Sequence, residues 1–435
     1  MVYVLNCEGI PITPTERHGK VRRLLRDGKA KVVKRTPFTI QLLYETTNYT
    51  PEMVLGDDTG YAFNGISVSS EQKEYYSAEV QLRTDIPNLM STRREARRTR
   101  RGRKTRYRKP KSLNRVKSKQ KGWLPPSVEQ RIDSHVHVIE NVMKILPIHR
   151  IRVEVAQFDT QKMRADMEEL DRPEGTDYQQ GPQLGFWNVR EYVLYRDGHT
   201  CQCCHGKSGD EILNVHHIES RKTGGNAPTN LVTLCETCHN AYHHGKIQLP
   251  PDIKRQESLQ DSAAINMMRW KLGERIKDKF VPMGIDVTFT YGYITKDTRI
   301  RAELPKEHRI DALCIAGHPH AKPVREYFVQ RKIRCHNRKV MKDRILKKGV
   351  RKRNQSPRVL FGYRLFDKVK YRGQEAFIFG RRSSGSFDIR KLDGTTISAS
   401  VSYKKLSLLE PTNHYITERR SVSSAHMNAV VSDAD

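Results

Sequence analysis

The chain has 435 residues, 36% of them hydrophobic, a formal net charge of +30 and a pI near 9.9. Its length allows two or three domains, and its hydrophobic content excludes a wholly disordered chain. A charge of that size and single sign calls for a polyanionic partner, with nucleic acid ahead of a membrane surface. The N-terminal "MVYVLNCEGIPITP" lacks signal-peptide organisation and no apolar run would span a bilayer, so the sequence predicts no membrane and a cytoplasmic, nucleoid-associated prokaryotic protein.

Taken in order, residues 1–50 predict a small α/β module. "MVYVLNCEGIPI" has strand character, "HGKVRRLLRDGKAKVVKR" reads as a basic helix giving way to a strand, and "PFTIQLLYE" is a further strand. Residues 53–68 predict a hairpin, and "EYYSAEVQL" continues the sheet. Arg93 to Lys121 then hold sixteen Lys/Arg in twenty-nine residues, half of the net charge, with no apolar face to bury. A basic helix laid on a phosphate backbone fits this window better than a tail, since ordered segments flank it. After "GWLPP", Val128, Ile132, His135, Ile139, Val142 and Leu146 recur at helical spacing. In the strand "HRIRVEVAQF", Ile151, Val153 and Val155 face one side and Glu154 the other. Residues 159–185 read as a linker, 186–247 as a compact Cys/His module and 255–283 as a helix, followed by a strand and a helix near "PKEHRIDALCIAG". Residues 322–353 are again dense in Lys/Arg, the last eighty alternate as a small β-barrel-like module, and the final fifteen or so are expected to fray.

Five of the eight cysteines lie in "CQCC" and "CETC". Cys201, Cys204, Cys235 and Cys238 give two C-x-x-C turns, the spacing that closes a tetrahedral structural Zn²⁺ site. Cys203 competes with Cys204 but has the wrong spacing to Cys201. Between and beyond the two turns lie His216-His217 at a strand end, Asn230 in the next loop, and His239 and His243 four apart on one helical face, with His244 adjacent. This constellation resembles the HNH nuclease motif, a ββα-metal fold. The resemblance implies His217 as the general base, His216 as a ligand of a divalent cation with His239 or His243 as partners, and Asn230 orienting the base or touching the metal. Histidine near its ordinary pKa suits water activation for phosphodiester hydrolysis. Zinc ligation alone would be the other use of these histidines.

In "VLGDDTGYAFNGISV" strand alternation sends Asp57 and Asp58 to opposite faces, and Asp58 shares its face with Val54 and Gly56. Gly56-x-Asp58-x-Gly60 resembles the first motif of RuvC-like nucleases of the RNase H fold. Glu154 looks like the second motif. "PKEHRIDAL", with His308 and Asp311 three apart on a helix, looks like the third. Their order, with the HNH module between the last two and an arginine-rich helix after the first, is similar to the IscB family of transposon-associated RNA-guided nucleases. The residue 1–50 segment is similar to that family's PLMP module, with Pro11-Ile12-Thr13-Pro14 in place of the naming tetrapeptide. Asp57 and Thr59 also depart from the family's apolar residue and proline.

The resemblance implies an α/β multidomain protein. Its RNase H-like RuvC domain would be split into 51–85, 123–160 and 251–320. An arginine-rich bridge helix would occupy 86–122, a linker 161–185, and the zinc-containing HNH domain 186–250. A basic nucleic-acid-binding segment (321–355), a C-terminal β-rich module reading a target-adjacent motif (356–415) and a flexible tail (416–435) would follow. It implies Mg²⁺ or Mn²⁺ at the nuclease sites, bound in RuvC by Asp58, Glu154 and Asp311 with His308 beside them. It further implies an omega guide RNA, a double-stranded DNA target and a monomeric ribonucleoprotein. Arg93, Arg94, Arg97, Arg98, Arg100, Arg101, Arg103, Arg106, Arg108, Arg331, Arg334 and Arg338 would track phosphates. A guide-free HNH homing or restriction-type endonuclease is the alternative reading, and a non-enzymatic RNA-binding protein a second.

Overall fold

The computed structural model describes residues 1–102, 124–155, 189–220, 228–254, 260–334, 344–345, 351–352 and 357–422. The chain divides into two compact units. The described residues from Val189 to Lys254 belong to one; residues 1–102, Pro125–Val155 and everything described from Met268 onward belong to the other.

The larger unit begins with strands β1 (Val2–Leu5) and β2 (Pro11–Thr15), helix α1 (His18–Arg26), and strands β3 (Ala30–Lys34) and β4 (Thr39–Leu42). The sheet order is β2-β1-β4-β3. Val21 of α1 packs on Val2, Val4, Ile40 and Leu42, which gives the 1–50 segment its own core, as its alternating pattern predicts.

The central sheet holds β5 (Val54–Thr59), β6 (Phe63–Ser69), β7 (Glu74–Gln81), β8 (Arg150–Val155), β11 (Asp286–Tyr291), β12 (Glu326–Lys332) and β20 (Tyr415–Ser421), in the order β11-β8-β5-β6-β7-β12-β20. β5, β6 and β7 form an antiparallel meander, whereas β8 runs parallel to both β5 and β11, and β12 parallel to β7. Helix α2 spans Ile86–Gly102 and α3 spans Pro126–Met143. The predicted stripe of α3 is realised: Val128, Ile132, His135, Ile139 and Val142 are all buried. Arg131 anchors this helix, its Nε donating to the Tyr61 carbonyl and its guanidinium lying 3.6 Å above the Tyr61 ring.

In the smaller unit, α4 (Val189–Arg196) precedes β9 (Leu213–His217), β10 (Leu231–Cys235) and α5 (Glu236–His243). β9 and β10 pair antiparallel from Leu231↔His217 to Cys235↔Leu213. Helix α6 (Gln260–Phe280) leads to β11 and then to α7 (Gly292–Arg301) and α8 (His308–Ala316).

α8 lies directly on β5 and β6. A Cβ added to Gly56 would sit 2.0 Å from the Ala312 carbonyl oxygen, and one on Gly65 1.9 Å from that of His308. Only glycine permits this approach, so these two positions set the distance between sheet and helix.

Two short strands, β13 (Arg344–Ile345) and β14 (Arg351–Lys352), pair with each other. Strands β15 (Lys368–Tyr371), β16 (Gln374–Arg381), β17 (Ser386–Arg390), β18 (Thr396–Ser402) and β19 (Ser407–Glu410) form an antiparallel sheet ordered β18-β17-β16-β15-β19. The core of this β-rich module is Val369, Ala376, Ile378, Phe387, Ile389 and Val401.

Two boundaries differ from the sequence reading. Tyr415–Ser421 is not a frayed tail: it pairs with all seven residues of β12, and Ile416 is buried with Ile333, Phe377 and Leu392. Glu326–Lys332, placed in the basic segment, is an interior strand between β7 and β20. Its even mixture of charged and apolar residues hid a strand that is covered along both edges.

Candidate functional site

Among the described residues, two clusters of chemistry-bearing side chains are found, one in each unit. In the smaller unit, Cys201, Cys204, Cys235 and Cys238 place their sulfurs within 4.8 Å of one another. The Cys204 amide faces the Cys201 sulfur at 3.5 Å and the Cys238 amide the Cys235 sulfur at 3.4 Å, so each C-x-x-C turn orients a backbone donor at its first sulfur. The Ser208 hydroxyl also donates to Cys235 Sγ, and Cys204 is pulled down to about 6 by its own bond to that hydroxyl. Four converging sulfurs with amide donors fit a structural Zn²⁺. Cys203 stands outside the set and packs against the surrounding apolar residues.

Beside this knuckle, β9 ends at His216 and His217 and α5 presents His239 and His243. His216, His239 and His243 also bring ring nitrogens within 4.8 Å of one another. His239 Nε2 and His243 Nε2 are 3.3 Å apart, and the His216 ring lies 5.3 and 5.1 Å from theirs. His216 Nε2 is buried without a hydrogen-bond partner. Burial first, then the neighbouring His239, His243 and His217, push the His216 pKa down to about 4. Three converging imidazoles with one orphaned buried nitrogen fit a divalent cation, which needs unprotonated rings. His217 joins Ser220 and Tyr242 in lining a cavity of about 330 Å³ over the trio. Tyr242, which no motif singled out, packs its ring 4.7 Å from that of His216.

Asn230 is fully buried in the turn Pro228–Asn230 and braces the loop after His217. Its Oδ1 accepts from the Glu219 amide, its Nδ2 donates to the Glu219 carbonyl, and its backbone carbonyl accepts from Ile218. Arg196 ties α4 to the same region through the carbonyls of Pro228 and Leu231. His244 follows α5 as its cap and stands outside the trio.

In the larger unit, Asp58 at the end of β5, Glu154 on β8, and His308 and Asp311 on α8 come together. His308 Nδ1 lies 2.6 Å from Asp58 Oδ2, and this bond raises the His308 pKa. Asp311 pairs with Arg299 of α7 at 2.8 Å. Burial, with the charges of Asp58 and Asp311, pushes Glu154 up to about 7 against the opposing influence of the nearby Thr295 hydroxyl. Burial and Asp58 likewise raise Asp311. These mutual charge effects place the three acids in one electrostatic neighbourhood, and the donor set of carboxylates suits a hard cation. Their oxygens are nonetheless not gathered as tightly as the histidine nitrogens: among the described residues, only the cysteine and histidine groups meet within 4.8 Å.

Asp57 points away from this cluster, as alternation predicts. It is wholly buried against α3, 3.9 Å from the equally buried His135, and burial raises its pKa. Arg299 and Thr295 were missed from sequence, since neither falls in a recognisable spacing, and His135 was read only as part of the buried stripe of α3, not as the partner of Asp57.

Of the basic residues, Arg93, Arg94 and Arg97 are exposed on α2. Arg98, Arg100 and Arg101 belong to that helix, but their side chains lie outside those described, and Arg103, Arg106, Arg108 and Arg338 lie outside the described residues. Arg331 is on β12 and Arg334 just after it.

Residues 201–245 match the HNH endonuclease family model. The smaller unit thus carries an HNH endonuclease domain, a domain class of metal-dependent phosphodiester hydrolases. Residues 2–181 match a second family model, described as RRXRR protein. No curated protein matches the chain. Among solved structures, it is similar to Streptococcus thermophilus Cas9 in complex with an AGGA PAM, at 11% identity and a TM-score of 0.28, covering 45% of this chain and 26% of that one. It is also similar to the Type II-C Cas9 enzyme from Actinomyces naeslundii, at 16% identity and a TM-score of 0.17, covering 51% and 33%. The chain therefore spans about a quarter to a third of the length of those proteins. No helix among the described residues is long and apolar enough to cross a membrane.

Proposed function

We propose that the protein is an RNA-guided DNA endonuclease of the IscB type that cuts both strands of its target. The observation that carries this reading is the coexistence, in one chain of net charge +30, of a histidine cluster and a separate carboxylate cluster, each suited to phosphodiester cleavage. The mixed central sheet, with its antiparallel meander, parallel strands beside it and α8 seated on two glycines, supports an RNase H-like domain of the RuvC kind.

In the histidine site His217 takes the proton from the attacking water, and the Asn230 brace holds the loop that follows it in place. His216, His239 and His243 would hold the divalent cation, which would supply neutralisation of charge developing on the phosphate. In the carboxylate site Asp58, Glu154 and Asp311 would hold Mg²⁺, and His308, its pKa raised by the bond, is oriented by Asp58. The histidine site cuts the strand paired with the guide and the carboxylate site the displaced strand. Exposed Arg93, Arg94 and Arg97 supply phosphate contacts, and the C-terminal sheet reads a short motif beside the target.

The test is to purify the protein from cells carrying its flanking DNA and sequence the nucleic acid that accompanies it. One abundant RNA of discrete length with a variable end is expected, and it should program cleavage at a matching sequence. Mg²⁺-dependent cutting without any discrete RNA would overturn the guided reading in favour of a guide-free HNH endonuclease. The ion pairs that occupy Asp58 and Asp311 favour that second reading.

A further inference from the structure

The two clusters offer a metal chemically different donors. His216, His239 and His243 bring three imidazole nitrogens within 4.8 Å of one another, and among the described residues no carboxylate belongs to the group. The cavity of about 330 Å³ over them is lined by Val215, Ile218, Ser220 and Tyr242 besides the histidines, again without an acid among the described residues. Glu236, whose charge acts on His239, lies exposed at the start of α5 and outside the group. His216 Nε2, buried and without a hydrogen-bond partner, is a ligand atom that the fold itself does not use. In the larger unit, Asp58, Glu154 and Asp311 present oxygens, and the nitrogen His308 Nδ1 is committed to Asp58 Oδ2. Imidazole suits the later first-row transition ions, whereas Mg²⁺ takes oxygen ligands and gives up its waters reluctantly. Three protein ligands beside an open position is also the arrangement of catalytic zinc sites.

We propose that the histidine trio selects a first-row transition ion over Mg²⁺ while the carboxylates take Mg²⁺, so that the metal supply decides which strands are cut. With Mg²⁺ alone the protein nicks the displaced strand. The guide-paired strand is cut only when a transition ion fills the trio. The preference follows from donor type, so exchanging one imidazole for a carboxylate should move it toward Mg²⁺. The strand consequence rests on the reading of the histidine site as the one that cuts the guide-paired strand; the metal preference does not.

The probe is Co²⁺ added to the full protein with zinc already in its cysteine knuckle, read by the visible absorption of the bound ion. No thiolate–cobalt charge-transfer band should develop, since the knuckle keeps its zinc. One Co²⁺ should bind per chain, and about a hundredfold molar excess of Mg²⁺ should leave its spectrum in place. The spectrum should be lost in His239→Ala with His243→Ala, while an unchanged zinc content reports an intact fold. His243→Glu should still bind Co²⁺ but lose it to the same excess of Mg²⁺, which separates donor chemistry from damage to the unit. Displacement of Co²⁺ from the wild type by Mg²⁺, or a spectrum that survives the loss of both histidines, would overturn the proposal, as would a His243→Glu protein that keeps Co²⁺ against Mg²⁺. The strand assignment fails differently: cutting of the guide-paired strand that is indifferent to Co²⁺, with the spectrum and its resistance to Mg²⁺ intact, removes the histidine site from that strand and leaves the metal preference standing.

Discussion

The two clusters solve the same electrostatic problem in opposite ways. The histidine trio is preassembled and accompanied by a cysteine knuckle in the same unit, with its ligand nitrogens already within 4.8 Å. The carboxylates repel one another when ionised, and two of them hold basic partners, His308 on Asp58 and Arg299 on Asp311. Neutral ligands can wait together without a cation; ionised acids repel and need counter-charges until one arrives. The smaller unit is therefore built around geometry, and the larger around charge compensation.

The sharpest way to break this comparison is to remove the knuckle. Cys235→Ser should lower the melting temperature of the smaller unit and release its zinc, because structural zinc supplies folding free energy to so small a core. Cutting of the guide-paired strand should vanish with it. A protein that melts normally and still cuts that strand would contradict the assignment.

His217→Ala should reduce cutting of the guide-paired strand by about 10²–10⁴-fold, the usual range for a general base, while the displaced strand is still cut. Strand-resolved gels with each strand labelled decide this, and unchanged double-strand cutting would remove His217 from the role.

A subtler lever is Gly65→Ala. Its Cβ would meet the His308 carbonyl, so α8 must move away from β6, carrying His308 and Asp311 from Asp58. Overpacking of this kind costs about 1–3 kcal/mol. The expected outcome is loss of displaced-strand cutting with the other strand unaffected.

The smallest effect is on pH dependence. Glu154 is raised to about 7 in the folded state from an ordinary 4.5. The folded protein therefore binds more protons than the unfolded one between those values. The associated stability is fully present below about 4.5 and is lost as pH rises through 7. Asp311 and Asp57, also raised, act with the same sign. Thermal melting in chelator from pH 5 to pH 8 should therefore fall for the wild type and fall less for Glu154→Gln. Equal slopes would show that Glu154 titrates normally.

How much could be read from sequence follows the same division. The knuckle and the histidines lie between Cys201 and His243 at fixed spacings, so short motifs contain nearly the whole site. Asp58 could be chosen over Asp57 because strand alternation is strict, and the structure puts Asp57 on the α3 face. By contrast, Arg299 and Thr295 reach the carboxylates only through α7, which follows β11, whose placement beside β8 depends on tertiary pairing. β20 was missed for a related reason. "YITERRS" has one deeply buried residue, Ile416, and its strand identity comes from the partner β12 rather than from its own pattern.

The bond between His308 and Asp58 joins residues 250 positions apart. That separation has a kinetic meaning. Contacts of high sequence separation form only after the loop-closure entropy has been met, and chains dominated by them fold slowly. The knuckle and the histidine trio can condense from a segment of some forty residues, whereas the carboxylate cluster must wait for β5, β8 and α8 to find one another. During synthesis, the histidine cluster is thus ready to form long before the carboxylate one.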